Sequence, residues 1–173
     1  AIKLAEDHYW LSISDGDLLQ FLLGLAIGKN LQVEIEEPDV SPLAIQGPLA
    51  EDLTARVFGE VVRDIKFFRY KRLKFLDTEF VVARSGWSKQ DGFEIYVDGS
   101  NYGMPLWDTF FKVGKDLNVR AGCPNLIERI EGGLLSYGSD MTRQNTPVEA
   151  GLAKFCNSSD EYLGKTKIEK QKK

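Results

Sequence analysis

The sequence predicts an α+β fold, with mixed or antiparallel sheets and helices packed against them. Two observations carry that expectation. Segments with period-two and period-3.6 hydrophobic patterning follow one another in an irregular order, β-α-β-β-α-β-β-β-β-α-α. Few regular βαβ units occur in that order, which argues against a doubly wound sheet. In addition, 43% of the 173 residues are hydrophobic, enough for the core of one large domain or two small ones.

The chain enters a strand at Ile2-Lys3-Leu4, and the aromatic and β-branched content of Tyr9 to Ser14 predicts a second. Ser14 and Asp15 offer N-cap oxygens to a helix over 16–29, where Leu18, Leu19, Leu22, Leu23 and Ala26 fall at helical spacing. Apolar and acidic residues alternate over 31–36, the pattern of a half-exposed strand. Pro38 and Pro42 bracket a loop before the short run Leu43-Ala44-Ile45-Gln46. Gly47-Pro48 then opens a helix with Leu53, Val57 and Phe58 inward, Pro48 sitting where its missing N–H costs nothing. Strands are expected at 65–70, 73–76 and 79–83 and, after a loop over 84–92, at 93–97. A helix from about 105 to 117 turns Leu106, Phe110 and Val113 inward. A further helical stretch, 125–135, stops at Tyr137-Gly138 on a left-handed glycine. The lysine-rich end from Lys165 reads as a frayed helix or linker.

Composition excludes several function classes. A net charge of −4 and a pI near 5.2 argue against nucleic-acid partners, which need a basic surface. One histidine, His8, and two cysteines without CxxC spacing, Cys123 and Cys156, cannot build a Cys/His metal site. His8 lies in a polar turn, Glu6-Asp7-His8-Tyr9-Trp10, where a solvated or capping role is expected. Two cysteines without an evident pairing fit a reducing, cytoplasmic compartment. No apolar run approaches the ~20 residues a membrane-spanning helix needs. The chain opens at Ala1 with neither an initiator methionine nor a leader, and reads as an internal piece of a longer protein.

The segment Arg84-Ser85-Gly86-Trp87-Ser88-Lys89-Gln90-Asp91-Gly92-Phe93-Glu94-Ile95-Tyr96-Val97 is a polar, glycine-containing loop that opens into a strand. Glu94 and Tyr96 stand two apart, so they share one face, opposite Phe93, Ile95 and Val97. A carboxylate beside aromatic side chains suits a flat heterocycle with an amidine-like N–H edge, since two oxygens accept two parallel donors. The same spacing also describes an ordinary solvated strand face.

This segment resembles the SRTGYTGEDGFEIYV motif of the glycine-cleavage T-protein (aminomethyltransferase) superfamily. Ala44-Ile45-Gln46-Gly47-Pro48 is similar to the family's A-L-Q-G-P. The run Arg129-Ile130-Glu131-Gly132-Gly133-Leu134-Leu135-Ser136-Tyr137-Gly138-Ser139-Asp140 is similar to its R-L-E-A-G-L-x-L-Y-G-x-D. Thr146-Pro147-Val148-Glu149-Ala150-Gly151-Leu152 matches its T-P-x-E-A-G-L. Two replacements look like the dimethylsulfoniopropionate demethylase branch. The family's T-G-Y-T-G-E becomes Ser85-Gly86-Trp87-Ser88-Lys89-Gln90, and its G-A-R-D-x-L-R-L-E becomes Gly122-Cys123-Pro124-Asn125-Leu126-Ile127-Glu128-Arg129-Ile130-Glu131.

The resemblance implies a tetrahydrofolate-dependent methyltransferase moving a methyl group from dimethylsulfoniopropionate to N5 of the folate. It implies a folate-binding region over 1–163, with 164–173 as a tail, no metal and no membrane partner; a homodimer is compatible with it. Glu94 would bond the pterin's amino edge, Trp87 would take the place of a tyrosine lining the folate cleft, and Arg129 would help hold the folate. Tyr96 would touch the cofactor and stand near the reacting methyl group as the catalytic residue. Glu131 and Tyr137 would support the site, although Arg129 and Glu131 also suit an ion pair across one helical turn. Phe67, Phe68 and Tyr70 suit either the core or a cleft wall. The family's functional aspartate would precede Ala1, and its C-terminal β-rich domain would follow the lysine tail. A glycine-cleavage aminomethyltransferase and a non-enzymatic folate-binding regulator or repair protein remain the alternatives.

Overall fold

The computed structural model describes residues 1–13, 16–123 and 126–173. In chain order the first elements are strands β1 (Ile2–Lys3) and β2 (Tyr9–Trp10), helix α1 (Leu18–Lys29), strand β3 (Val40–Gln46) and helix α2 (Ala50–Phe58). Strands β4 (Tyr70–Phe75), β5 (Thr78–Ala83) and β6 (Gly92–Asp98) follow, then helices α3 (Gly103–Val113), α4 (Leu126–Glu131) and α5 (Lys165–Gln171). The architecture is α+β, as the patterning predicts. The chain divides into two compact units, Leu19–Leu134 and Ala1–Leu18 with Leu135–Lys173.

The larger unit is built on a four-stranded antiparallel sheet of order β3-β6-β5-β4. Pairing of Leu43 with Ile95 and Ile45 with Phe93 puts four apolar side chains on one face. Phe80 and Val82 join them from β5, and Leu53 and Phe58 of α2 with Leu106 and Phe110 of α3 complete the cluster. Sequence alternation on the strands and helical spacing on α2 and α3 therefore meet in one two-layer core. Phe80 sits at its centre, fully buried, with its ring 5.8 Å from Phe75 and 5.7 Å from Tyr102. Gly114, which ends α3, allows a close approach: a Cβ there would stand 2.4 Å from Val119 Cγ2 and 2.7 Å from Leu53 Cδ1.

In the smaller unit β1 and β2 form a short hairpin, its turn closed by the Leu4 and Ala5 N–H groups donating to the His8 carbonyl at 2.8 and 3.2 Å. His8 itself is exposed, consistent with a solvated turn residue. Thr146 and Glu149 make a capping box: the Thr146 N–H donates to Glu149 Oε2 at 2.7 Å, and the Glu149 N–H donates to Thr146 Oγ1 at 3.4 Å. The lysine-rich end folds as α5 with Ile168 buried, and Lys165 Nζ donates to the carbonyls of Ser159 and Asp160.

Several expectations need correcting. Within the described residues the strand expected at 9–14 is confined to Tyr9–Trp10, because its partner β1 offers only two residues. Residues 31–36 join no sheet, and alternation without a partner strand leaves Leu31 and Val33 exposed. Pro42 lies inside β3 rather than before it, tolerated because β3 is an edge strand whose outer side needs no donor. The strands expected at 65–70 and 73–76 become the single β4, since Phe68 turns left-handed at φ 56° and delays the extended run to Tyr70. Phe67 and Phe68 meet in a tilted ring contact in solvent, 66% and 65% exposed, rather than entering the core. The helix expected over 125–135 ends at Glu131, because Gly133 supplies the left-handed stop before Gly138 is reached. The N-cap expected at Ser14 and Asp15 and the helix start at Asn125 lie outside the described residues.

In urea unfolding, Phe80→Ala is expected to cost about 3–5 kcal/mol. Phe67→Ala should cost less than about 0.5 kcal/mol. Similar losses at the two positions would contradict this account of the core.

Candidate functional site

Strand β6 carries its two faces as the spacing predicts. Phe93, Ile95 and Val97 are buried at 0%, 0% and 4% exposure, while Glu94 and Tyr96 are half-buried on the other face. Register then supplies what spacing does not. Glu94 pairs with Ala44 on one side and Ala83 on the other, so the smallest side chains flank the carboxylate. Tyr96 pairs with Pro42 and Val81. One acid and one phenol thus lie on this face between the exposed Pro42 and Ala44 of β3 and the buried Val81 and Ala83 of β5. Burial, reinforced by the nearby Glu94 charge, pushes the Tyr96 phenol above its ordinary pKa, so it is a neutral hydrogen-bond donor at physiological pH.

The loop before β6 is held at its base and its centre. At the base Arg84 grips Asp91 through both nitrogens, with Nε 3.0 Å from Oδ1, and also meets Glu51 of α2 at 2.8 Å. At the centre stands Gln46, the last residue of β3, paired with Gly92. Its Nε2 donates to the carbonyls of Ile45, Ser85 and Phe93 at 3.2, 3.0 and 3.4 Å, and its Oε1 accepts from Ser88 Oγ at 2.9 Å. Ser85 Oγ in turn donates to Glu94 Oε2. Trp87 lies between these two anchored serines.

On the far side of the loop, α4 ends in a Schellman closure: the Leu134 N–H donates to the Arg129 carbonyl at 2.8 Å and the Gly133 N–H to the Ile130 carbonyl at 3.0 Å. Arg129 is only 6% exposed, with its guanidinium 5.6 Å from the centre of the Trp87 ring. Gln90 Nε2 donates to Glu128 Oε1 at 2.8 Å and ties the loop to α4. A cavity of about 250 Å³ opens beside the loop, bordered by Phe67, Ser85, Lys89, Gln90 and Gly132.

The structure thus brings Glu94 and Tyr96 onto one face and Trp87 onto Arg129. Glu131 is exposed. Tyr137 belongs to the smaller unit. Sequence reasoning missed Ala44, Ala83 and Gln46 as builders of the site. The first two needed the strand register; Gln46 stood in a family motif, but three of its four partners lie 39 to 47 residues away.

Residues 1–160 match the family described as the GCVT N-terminal domain. The chain is 70% identical over 173 residues to dimethylsulfoniopropionate demethylase DmdA of Ruegeria pomeroyi, covering 100% of this chain and 48% of that protein. It is 32% identical over 178 residues to an aminomethyltransferase of Thermoanaerobacter, covering 98% of this chain and 48% of the relative. An aminomethyltransferase of Bacillus cereus is 32% identical over 179 residues, with 98% and 48% coverage. The chain spans about half the length of the curated relatives it matches.

The grip of Arg84 holds the Asp91 carboxyl below its ordinary range. A lowered folded value means the stabilisation is present above the ordinary carboxylate range and lost as pH falls through the lowered one. Urea titrations should therefore find wild type above Asp91→Asn by up to about 1 kcal/mol at neutral pH, the size of a largely exposed pair. The gap should close as pH falls below the ordinary carboxylate range. A gap that widens in acid would contradict the assignment.

Proposed function

The chain belongs to the GCVT N-terminal domain family, and from that premise we propose that it is the folate-facing part of a methyltransferase acting on dimethylsulfoniopropionate. The observation that carries the reading is the Glu94 carboxylate, held by Ser85 and flanked by Ala44 and Ala83. The donor set fits a reduced pterin. A carboxylate accepts the paired N–H edge of a flat heterocycle, and the exposed Ala44 beside it leaves room for its ring. Tetrahydrofolate, when bound, supplies the N5 amine that takes the methyl group from the sulfonium.

This chain's residues bind and orient. Glu94 receives the pterin's amino edge. Tyr96, two residues along the same face, meets the ligand near the reacting methyl group and presents a neutral ring to the sulfonium, a cation–π contact worth about 0.5–2 kcal/mol. Trp87 borders the ring, and Arg129 backs Trp87 with positive charge. The sulfonium leaves as a neutral thioether, so alignment is the principal demand and no histidine base is required. The folate region is assigned to 1–163 and the compartment to the cytoplasm. The 70% identity to the demethylase, against 32% to the aminomethyltransferases, supports the demethylase branch over the glycine-cleavage one.

Calorimetric titration of tetrahydrofolate is expected to show binding that Glu94→Ala weakens by about tenfold or more, the loss of a charge-assisted hydrogen-bond pair. With dimethylsulfoniopropionate added, this stretch of chain should turn over slowly or not at all, and any product should be methyltetrahydrofolate. Methylenetetrahydrofolate from an aminomethyl donor would move the assignment to the other branch. Unchanged affinity in a folded Glu94→Ala protein would reduce the Glu94 face to an ordinary solvated strand.

A further inference from the structure

We infer that Gln46 is a positioning residue for the ligand face: its amide fixes the 84–92 loop so that Ser85 can orient Glu94 and Trp87 is held at the site's border. The part of this inference that concerns ligand binding rests on the folate reading; the part that concerns the loop does not.

The amide lies among four partners of mixed kind. Three carbonyl oxygens, from Ile45, Ser85 and Phe93, accept from Nε2, and one hydroxyl, from Ser88, donates to Oε1. A side chain filling this place needs a donor and an acceptor on one planar head, which an amide provides. Glutamate has the same shape but as a carboxylate has no donor, and would turn a negative charge on three carbonyl oxygens. The chain from Gln46 to the site is short: Gln46 to the Ser85 backbone, then Ser85 Oγ to Glu94 Oε2.

The loop is shaped around this amide. Gly86 lies against it so closely that a Cβ would fall 2.0 Å from Gln46 Oε1 and 2.4 Å from its Nε2. At Gly92, the strand partner of Gln46, a Cβ would fall 2.3 Å from the Ile45 carbonyl and 2.6 Å from Gln46 Nε2. Gly86 does not adopt a positive φ, so alanine there is opposed by the neighbouring amide, which would have to shift, and not by the backbone. Two substitutions thus attack the clamp from opposite sides, Gln46→Glu by removing its donor and Gly86→Ala by displacing the head.

The test measures amide hydrogen exchange over 85–90 and tetrahydrofolate affinity in the full chain, for Gln46→Glu, Gly86→Ala, Ser85→Ala and the Gln46→Glu/Ser85→Ala double variant. Exchange in the loop should rise in both clamp variants while β5 and the Phe93–Val97 stretch stay protected. Affinity should fall about tenfold in Gln46→Glu and by less than about threefold when the same change is made in Ser85→Ala, because the two act in series. Loop exchange unchanged in Gln46→Glu would overturn the inference. So would exchange rising equally through β5 and β6, which marks a general loss of stability, or additive losses of affinity. A wild-type chain that binds no tetrahydrofolate but whose loop is released by both clamp variants would overturn the folate reading and leave the clamp standing.

Discussion

The site depends on the parity of one strand. β6 is hydrogen-bonded on both sides, and Phe93, Ile95 and Val97 enter the core between α2 and α3. A slip of one residue would expose those three side chains and bury Glu94 and Tyr96 instead. Burying each apolar side chain is worth roughly 1.5–3 kcal/mol, so such a slip costs several times any single hydrogen bond in the site, at about 1 kcal/mol. The core therefore decides which way the carboxylate and the phenol face. The polar contacts around them only refine that choice.

That division explains what could be read without coordinates. Alternation along 93–97 and helical spacing in α2 and α3 report burial, and burial is what one-dimensional hydrophobic patterns record. The same patterns mislead where no partner exists. Residues 31–36 alternate as a strand should, yet a strand is stable only against another strand, and among the described residues none pairs with them. Likewise α1 carries an apolar face by spacing, but none of its side chains is buried, so the pattern states what the helix can bury and not what it does bury. Pro42 inside β3 was illegible for a related reason: a proline is acceptable on an edge, and edge position is a property of the sheet.

The candidate site was legible in half. Glu94 and Tyr96 follow from local spacing, because neighbours two apart on a strand share a face. Ala44 and Ala83 do not, because an alanine beside a carboxylate matters only through register with two strands far away in sequence. Gln46 was least legible of all. On an edge strand a half-exposed glutamine is unremarkable, and its head group meets partners on the 84–92 loop and on β6, up to 47 residues distant.

Set beside the family motif, the loop separates frame from presentation. Arg84, Gly86, Asp91 and Gly92 occupy places where the motif has the same residues, and Ser85 and Ser88 keep the hydroxyls of its two threonines. These are the groups that clasp Asp91, touch Gln46 or bond Glu94. The replacements fall elsewhere: Trp87 for tyrosine, Lys89 for glycine and Gln90 for glutamate. Lys89 shows the cost of that change, since it holds φ 58°, a backbone conformation the motif's glycine adopts without a side-chain penalty. Trp87 lies under Arg129, Lys89 borders the cavity, and Gln90 reaches Glu128 of α4. A loop whose anchors are retained and whose projecting residues differ can change what it presents without moving the carboxylate.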